Sequence, residues 1–269
     1  MNNFTKLSSS PKRIVSLVPS LTELLYSLGL DEEVAGITKF CIHPNKWFRS
    51  KQRIGGTKTV KIDVVKALQP DLILANKEEN VKEQIEQLQQ TAPVWVSDIN
   101  TLKDALETII SVGELVNKQE RADNLASRVK AAFEQITPVK QKINAAYLIW
   151  KDPYMAVGGD TFIHDMLSHC GLTNIFQHLN RYPEIVIDGF STHSTPSSVN
   201  RHPSSLKNCE LLLLSSEPYP FKQKHLEELQ TLLPSVKIML VDGEMFSWYG
   251  SHLLDSAQYF QNLINQIQE

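Results

Sequence analysis

The chain has 269 residues, 42% hydrophobic and 21% charged, with 27 Lys and Arg against 30 Asp and Glu. That length allows two domains or one large bilobed unit, and a net charge of −3 argues against a nucleic-acid binder, which shows a basic face. Eleven Gly and thirteen Pro are too few for a disordered or fibrous chain, and no apolar run approaches the roughly 20 residues of a membrane helix, so a globular protein that does not span a membrane is expected.

The three cysteines, Cys41, Cys170 and Cys209, are far apart and odd in number, which fits neither a zinc cluster nor a disulfide framework. Residues 1–10 hold one Lys and no apolar stretch. As written the chain reads as cytoplasmic; it is periplasmic or surface-located if a leader was removed.

After this polar lead, Arg13-Ile-Val-Ser-Leu-Val18 reads as a buried strand ended by Pro19. Ser20, with Glu23 three residues on, reads as a capping box, and the helix that follows closes at Gly29. Residues 34–38 read as a strand, 40–58 as irregular chain, and 63–68 as a helix stopped by Gln69-Pro70. Strands at 71–75 and 93–97 flank a helix at 81–89. Strands alternating with helices indicate βαβ units and a mostly parallel sheet. Trp95 falls inside a strand pattern and is expected in the core.

Residues 101–136 break that rhythm with a long Pro-free helical stretch, expected to form a spine between lobes. Beyond Pro138 the alternation resumes and repeats the first half. Residues 71–75, 81–88 and 93–98 have counterparts at 210–214, 224–229 and 236–242, and 13–29 has one at 145–171. The expected fold class is therefore α/β: two lobes, 11–100 and 138–269, with mostly parallel sheets joined by one long spine helix within 101–137. Ligands of open parallel sheets sit beyond the carboxyl ends of the strands, so the ligand cleft is expected between the lobes.

The loops after the strands carry Pro19-Ser20, Phe40 to Pro44 with Trp47, Gly55-Gly-Thr57 and Asn76-Lys-Glu-Glu79 in the first half. In the second half they carry Trp150 to Met155, Ser215 to Phe221, and Asp242 to Gly250. Three of the four tryptophans lie in these loops. Aromatic walls with few charges suit a large, flat, amphipathic ligand such as a sugar, a corrinoid or a porphyrin-like ring; a phosphorylated nucleotide would prefer a basic, Gly-rich cradle. The expected ligand contacts are Ser20, Phe40, His43, Trp47, Gly56, Asn76, Trp150, Tyr154, Glu217, Tyr219, Trp248 and Tyr249. Ser247 and Gly250 flank Trp248 and Tyr249 and suggest an accessible loop there.

His43 stands beside Cys41, but zinc wants three or four ligands at fixed spacing, and no metal site is expected. No G-x-S-x-G elbow or Walker loop occurs, the pairs Gly55-Gly56 and Gly158-Gly159 read as turns, and no catalytic residue is assigned.

Arg13 to Glu23, Ile54-Gly-Gly-Thr57, Gln69 to Leu74 and Ser247-Trp-Tyr-Gly250 resemble the helical-backbone substrate-binding proteins of ABC importers. That family takes up siderophores, haem, cobalamin and some metals. Trp248-Tyr249 and Asp152-Pro-Tyr-Met155 are most similar to its cobalamin-binding branch. The resemblance runs from Lys12 to the C-terminus, with a Ser/Thr/Pro-rich departure at 191–205. It implies a ligand held between lobes with little hinge motion, and Trp248 as a corrin contact. Asn76 stands where that branch has another Trp, and Lys82 precedes Glu83 near the place of an importer-docking Glu.

The function this implies is a non-enzymatic binding protein for cobalamin or a related corrinoid, as the solute receptor of an ABC importer or a cytoplasmic carrier. The alternatives are a siderophore or haem receptor, and a corrinoid-processing enzyme subunit using the same cleft. Anionic siderophores usually need clustered Arg, and the loops offer Arg49, Arg53, Arg181 and Arg201 alone. The expected partners are the corrinoid and an importer permease, with no nucleic acid, no resident cofactor, and a monomeric chain.

Overall fold

The structure, a computed structural model, describes residues 9–187 and 206–269. The lead residues 1–8 and the departure at 191–205, with His193, Arg201 and His202, lie outside the described residues. The chain divides into two compact units. The first holds the described residues up to Ile99, then Lys103–Ala132 and Trp248–Leu254. The second holds Asn100–Leu102, those from Phe133 to Ser247, and Asp255–Glu269.

In the first unit the elements are β1 (Ile14–Ser16), α1 (Pro19–Ser27), β2 (Val34–Ile37), α2 (Asn45–Ser50), β3 (Gln52–Arg53), α3 (Ile62–Ala67), β4 (Leu72–Asn76), α4 (Lys82–Gln89), β5 (Val94–Ser97) and most of α5 (Leu102–Leu115) and α6 (Gln119–Glu134). The strands form one sheet in the order β3-β2-β1-β4-β5, every pair parallel. β1 and β4 are buried throughout, as continuous apolar runs in a sheet covered on both faces should be. The Asp71 carboxylate, one residue before β4, accepts the amides of Lys12 at 2.7 Å and Arg13 at 2.9 Å and so fixes the start of β1.

Three local expectations are corrected. Pro19 takes the first turn of α1, where its missing N–H costs nothing, so Val18 is the cap, Ser20 falls inside the helix, and the capping box does not form. Trp95 is half-buried, because β5 is an edge strand with one neighbour. The spine is two helices, α5 and α6, broken at Asn117, whose φ of 55° is a left-handed helix stop. The two touch where Gly113 faces Ala122; a Cβ on Gly113 would lie 2.2 Å from that of Ala122.

The second unit contains β6 (Ile143–Trp150), β7 (Met155–Ala156), α7 (Phe162–His169), β8 (Leu172–Asn174), β9 (Leu211–Ser215), α8 (Gln223–Leu232), β10 (Lys237–Val241), α9 (Gly243–Ser247) and most of α10 (Leu253–Gln268). β10, β9 and β6 are parallel neighbours; the far edge of β6 takes β8 in parallel along its first half and the short β7 antiparallel along its second. The internal likeness seen in the sequence is structural. β4 and β9 are both five-residue buried strands, and Glu210 before β9 accepts the Asn144 amide at 2.9 Å as Asp71 grips Lys12 and Arg13. Leu212 and Leu214 of β9 each contribute about 1.5–3 kcal/mol to a core shared with Ala146, Phe221, Leu229 and Ile238.

Candidate functional site

In the first unit the chain leaves β1 toward β2 on one side and later places β4 on the other, so the switch point lies at the carboxyl ends of β1 and β4. Asn80 fills it. Its Nδ2 donates to the carbonyls of Thr57 at 3.0 Å and Leu17 at 3.4 Å, and its Oδ1 accepts the Asn76 amide at 2.8 Å. Asn76 in turn accepts the amides of Glu78 and Glu79 at 2.9 and 3.0 Å and donates to Ser97 Oγ at 3.1 Å. Asn76, 3% exposed, therefore holds its loop and is not an open wall. Sequence reasoning missed Asn80. The signal was an Asn at each end of a short polar loop, the side chain best able to bond backbone nearby.

Trp47 also departs from expectation. It lies in α2, not in irregular chain, and is fully buried. Its indole N–H donates to Asp31 Oδ1 at 2.9 Å and its ring meets Tyr26 edge-on at 5.2 Å. The Lys46 ammonium, then this indole, hold the Asp31 carboxyl down at about 2. Trp47 thus pins α2 to the turn before β2. Phe40 is 49% exposed, with Lys39 Nζ 4.9 Å from its ring centre. Gly56 packs beneath it; an added Cβ there would come within 3.1 Å of that ring. Cys41 is buried against the hydroxyls of Thr22 and Thr38, and burial pushes its thiol above the ordinary range, so it is no ready thiolate beside His43. Among the described residues no group of three or more His, Cys, Asp or Glu could hold a metal ion.

The other sequence-derived contacts of this unit meet where Trp248–Leu254 returns to it. Gly250, with φ of 90°, lets the turn lie against α1; a Cβ there would sit 3.3 Å from Leu24 Cβ and 3.5 Å from the Ser20 carbonyl. His252 Nδ1 lies 3.0 Å from Glu23 Oε2 and fastens the turn. The Trp248 ring stands edge-on to His43 at 5.5 Å and tilted against His252 at 5.3 Å. Trp248 is 6% exposed, not in an open loop, and His43 is the part of this cluster that solvent reaches. Tyr249 is buried with its hydroxyl 3.4 Å from Ser97 Oγ, and burial raises its phenol well above the ordinary range.

In the second unit β6 has β8 on one side and β9 on the other, so the switch point lies at the carboxyl ends of β6 and β9. Tyr147 Oη donates to Ser215 Oγ at 3.0 Å, Ser215 Oγ donates to the Glu217 carbonyl at 2.5 Å, and Ser247 Oγ donates to the Glu217 carboxylate at 2.6 Å. Beside them Trp150, 39% exposed, meets Tyr219 edge-on at 5.7 Å. Tyr219 is fixed through its amide to the Ile149 carbonyl at 3.2 Å and through its ring to Phe221 and His225. His225 Nδ1 accepts the Lys222 amide at 2.9 Å, and burial, with Lys151 and Lys224 nearby, lowers its pKa. Trp150, Glu217 and Tyr219 lie in the same part of the second unit. Tyr154 does not join them; it is 7% exposed within the core of this unit. Sequence reasoning missed Ser247 and His225.

Residues 14–215 match the family described as periplasmic binding protein. The chain belongs to that family. It is 26% identical over 182 residues, 66% of each chain, to a vitamin B12-binding protein of Vibrio campbellii. The fold is similar to that of the periplasmic vitamin B12 binding protein of Vibrio cholerae, with a TM-score of 0.74 at 18% identity over 96% of this chain and 98% of that one. It is similar also to the periplasmic heme-binding protein of Roseiflexus, with a TM-score of 0.72 at 17% identity over 97% and 100%. At such identities these two structures speak for the fold alone. The chain spans about two thirds of the length of the curated relatives it matches. The family and the α/β fold class expected from the motifs are those found, and no helix of the described residues is long and apolar enough to cross a membrane.

Proposed function

We propose that the chain is the solute receptor of an ABC importer for cobalamin or a related corrinoid. The observation that carries this reading is the aromatic furnishing of the strand ends: the exposed Trp150 against Tyr219 in the second unit, and in the first the exposed His43 backed by the buried Trp248. Flat apolar faces beside a few fixed polar groups suit a tetrapyrrole-like ring. The curated relatives named vitamin B12-binding protein support the corrinoid over other flat ligands.

A haem or siderophore receptor is the second reading, and the fold suits it equally. Charge favours the corrinoid. Arg53 donates to the Lys51 carbonyl and lies over Phe48, and Arg181 lies over Tyr182, so neither is directed at a carboxylate-rich ligand. The periplasmic binding protein family supports a carrier role for the protein. The corrinoid is cargo rather than a resident cofactor, the partner is an importer permease, and the place of work is outside the cytoplasmic membrane.

Calorimetric and absorbance titrations with cyanocobalamin, haemin and a ferric siderophore test the reading. Saturable binding of one cyanocobalamin per chain is expected; binding of haemin alone, or of none of the three, overturns it. Fractionation of cells carrying the native gene should place the protein outside the cytoplasm, and a purely cytosolic protein would make it a carrier without an importer.

A further inference from the structure

We infer that the β3 edge of the first unit docks on the surface of an anionic phospholipid bilayer. The inference does not depend on which ligand the protein carries. Residues 34–62 hold seven of the 27 Lys and Arg and no Asp or Glu, which leaves 20 against 30 in the rest of the chain. The net charge of −3 conceals this local excess. The stretch runs through β2, α2 and β3, and β3 is an edge strand of its sheet. Contacts join its exposed parts along that edge. The Arg53 guanidinium lies 4.5 Å from the Phe48 ring centre. Just beyond, the Gly55 carbonyl accepts the Lys39 amide at 2.8 Å, and Phe40 lies over Gly56. Phe40, Ile42 and Phe48 are exposed, and so are Lys39, Arg49 and Lys61.

Much of this charge is not neutralised within the protein. Acids flank the stretch at Asp31 to Glu33 and at Asp63. Of these, Asp31 pairs with Lys46 and Lys51, and Glu33 accepts the Asp31 amide at 3.1 Å. Lys58 is bonded to the Glu78 carbonyl at 2.5 Å. Lys39, Arg49, Arg53 and Lys61 form no salt bridge among the described residues. Exposed cations interleaved with exposed apolar side chains suit a bilayer interface. There the cations meet lipid phosphates while the apolar groups enter the boundary between headgroups and acyl chains. The excess of acid elsewhere in the chain is repelled by the same surface, so attraction is confined to this edge.

Sedimentation of the full chain with sucrose-loaded vesicles tests this, with phosphatidylcholine alone or mixed with phosphatidylglycerol. Binding to the anionic vesicles should exceed that to the neutral ones about tenfold or more at about 0.1 M salt, and fall to the neutral level at about 0.5 M. Arg49→Gln combined with Arg53→Gln should weaken anionic-vesicle binding about 10–25-fold, at roughly fivefold per cation. Phe48→Ser, which leaves every charge in place, should weaken it several-fold. Thermal melts check that each variant is folded. Equal binding to both vesicles, binding to neither, or unchanged binding by the folded double variant overturns the inference. So does soluble polyglutamate bound as tightly as the vesicles with Phe48→Ser indifferent, which assigns the edge to an acidic protein partner.

Discussion

Asn80 occupies the crevice where an open parallel sheet ordinarily receives its ligand, and three hydrogen bonds from one side chain hold it there. Truncation to Ala strands two carbonyls and one amide in a buried setting. At about 1 kcal/mol for each bond lost, and more for groups left unsatisfied, Asn80→Ala should cost about 2–4 kcal/mol, read from the urea midpoint at unchanged m-value. The tryptophans divide differently. Trp47 is fully buried and anchors α2, so Trp47→Ala should lose about 3–5 kcal/mol of stability with little change in corrinoid affinity of the folded fraction. Trp248 borders the exposed His43, and anchors of this kind cost about 2–4 kcal/mol in binding when truncated. Trp248→Ala should therefore weaken cyanocobalamin binding roughly 30-fold or more at about 1.4 kcal/mol per tenfold. Equal affinity in a folded Trp248→Ala protein would remove the aromatic argument for the ligand.

Between α5 and α6 the close approach of Gly113 to Ala122 decides how the helices pack. On propensity alone Gly113→Ala should stabilise α5 by up to about 1 kcal/mol. With the new Cβ placed 2.2 Å from that of Ala122, overpacking should instead destabilise the protein by about 1–3 kcal/mol. Adding Ala122→Gly should recover part of the loss, and a double-mutant cycle in urea with no favourable coupling would show that the helices do not meet as described. The strands were legible because buried parallel strands write themselves as unbroken apolar runs, as at Leu72–Asn76 and Leu211–Ser215. The repeated acid before each of them, Asp71 and Glu210, was visible too, although its grip on the neighbouring strand was not. The turn at Asn117 was not legible, since a helix-compatible pattern does not say whether its halves stack end to end or fold back. The site was less legible. Ser20, Asn76, Trp47 and Tyr154 have the right residue types at strand or helix ends, yet burial is set by what packs over them from far along the chain, as Trp248–Leu254 packs on α1.

Acid should act on the whole molecule in two steps, because its shifted groups fall into two classes. His164 and His225 have lowered pKa values, in both cases chiefly through burial. A base whose folded pKa lies below its unfolded value of about 6.5 binds fewer protons folded than unfolded. Its contribution is complete above about pH 6.5 and is lost as pH falls through the folded value. The carboxylates act lower. Asp165, although burial works against it, is held below the ordinary range by His169 and the Leu102 amide, and Glu228 is held low by Lys151. Their contribution is complete above the unfolded carboxylate range of about 4 and is lost beneath it. Stability from urea melts should therefore decline gently below about pH 6.5, with a slope of at most about two protons, and then more steeply below about pH 4. His225→Gln should remove about half of the upper limb, leaving the share of His164, and leave the lower one in place. The same titration reaches the ligand surface, since His225 Nδ1 accepts the Lys222 amide and its ring supports Tyr219. A protonated ring cannot accept that bond, so corrinoid affinity should fall as pH drops through the lowered folded value, at the acid end of the upper limb. In His225→Gln it should become independent of pH between about 5 and 7. If the variant keeps the pH profile of the parent in both stability and affinity, His225 is not the group that titrates.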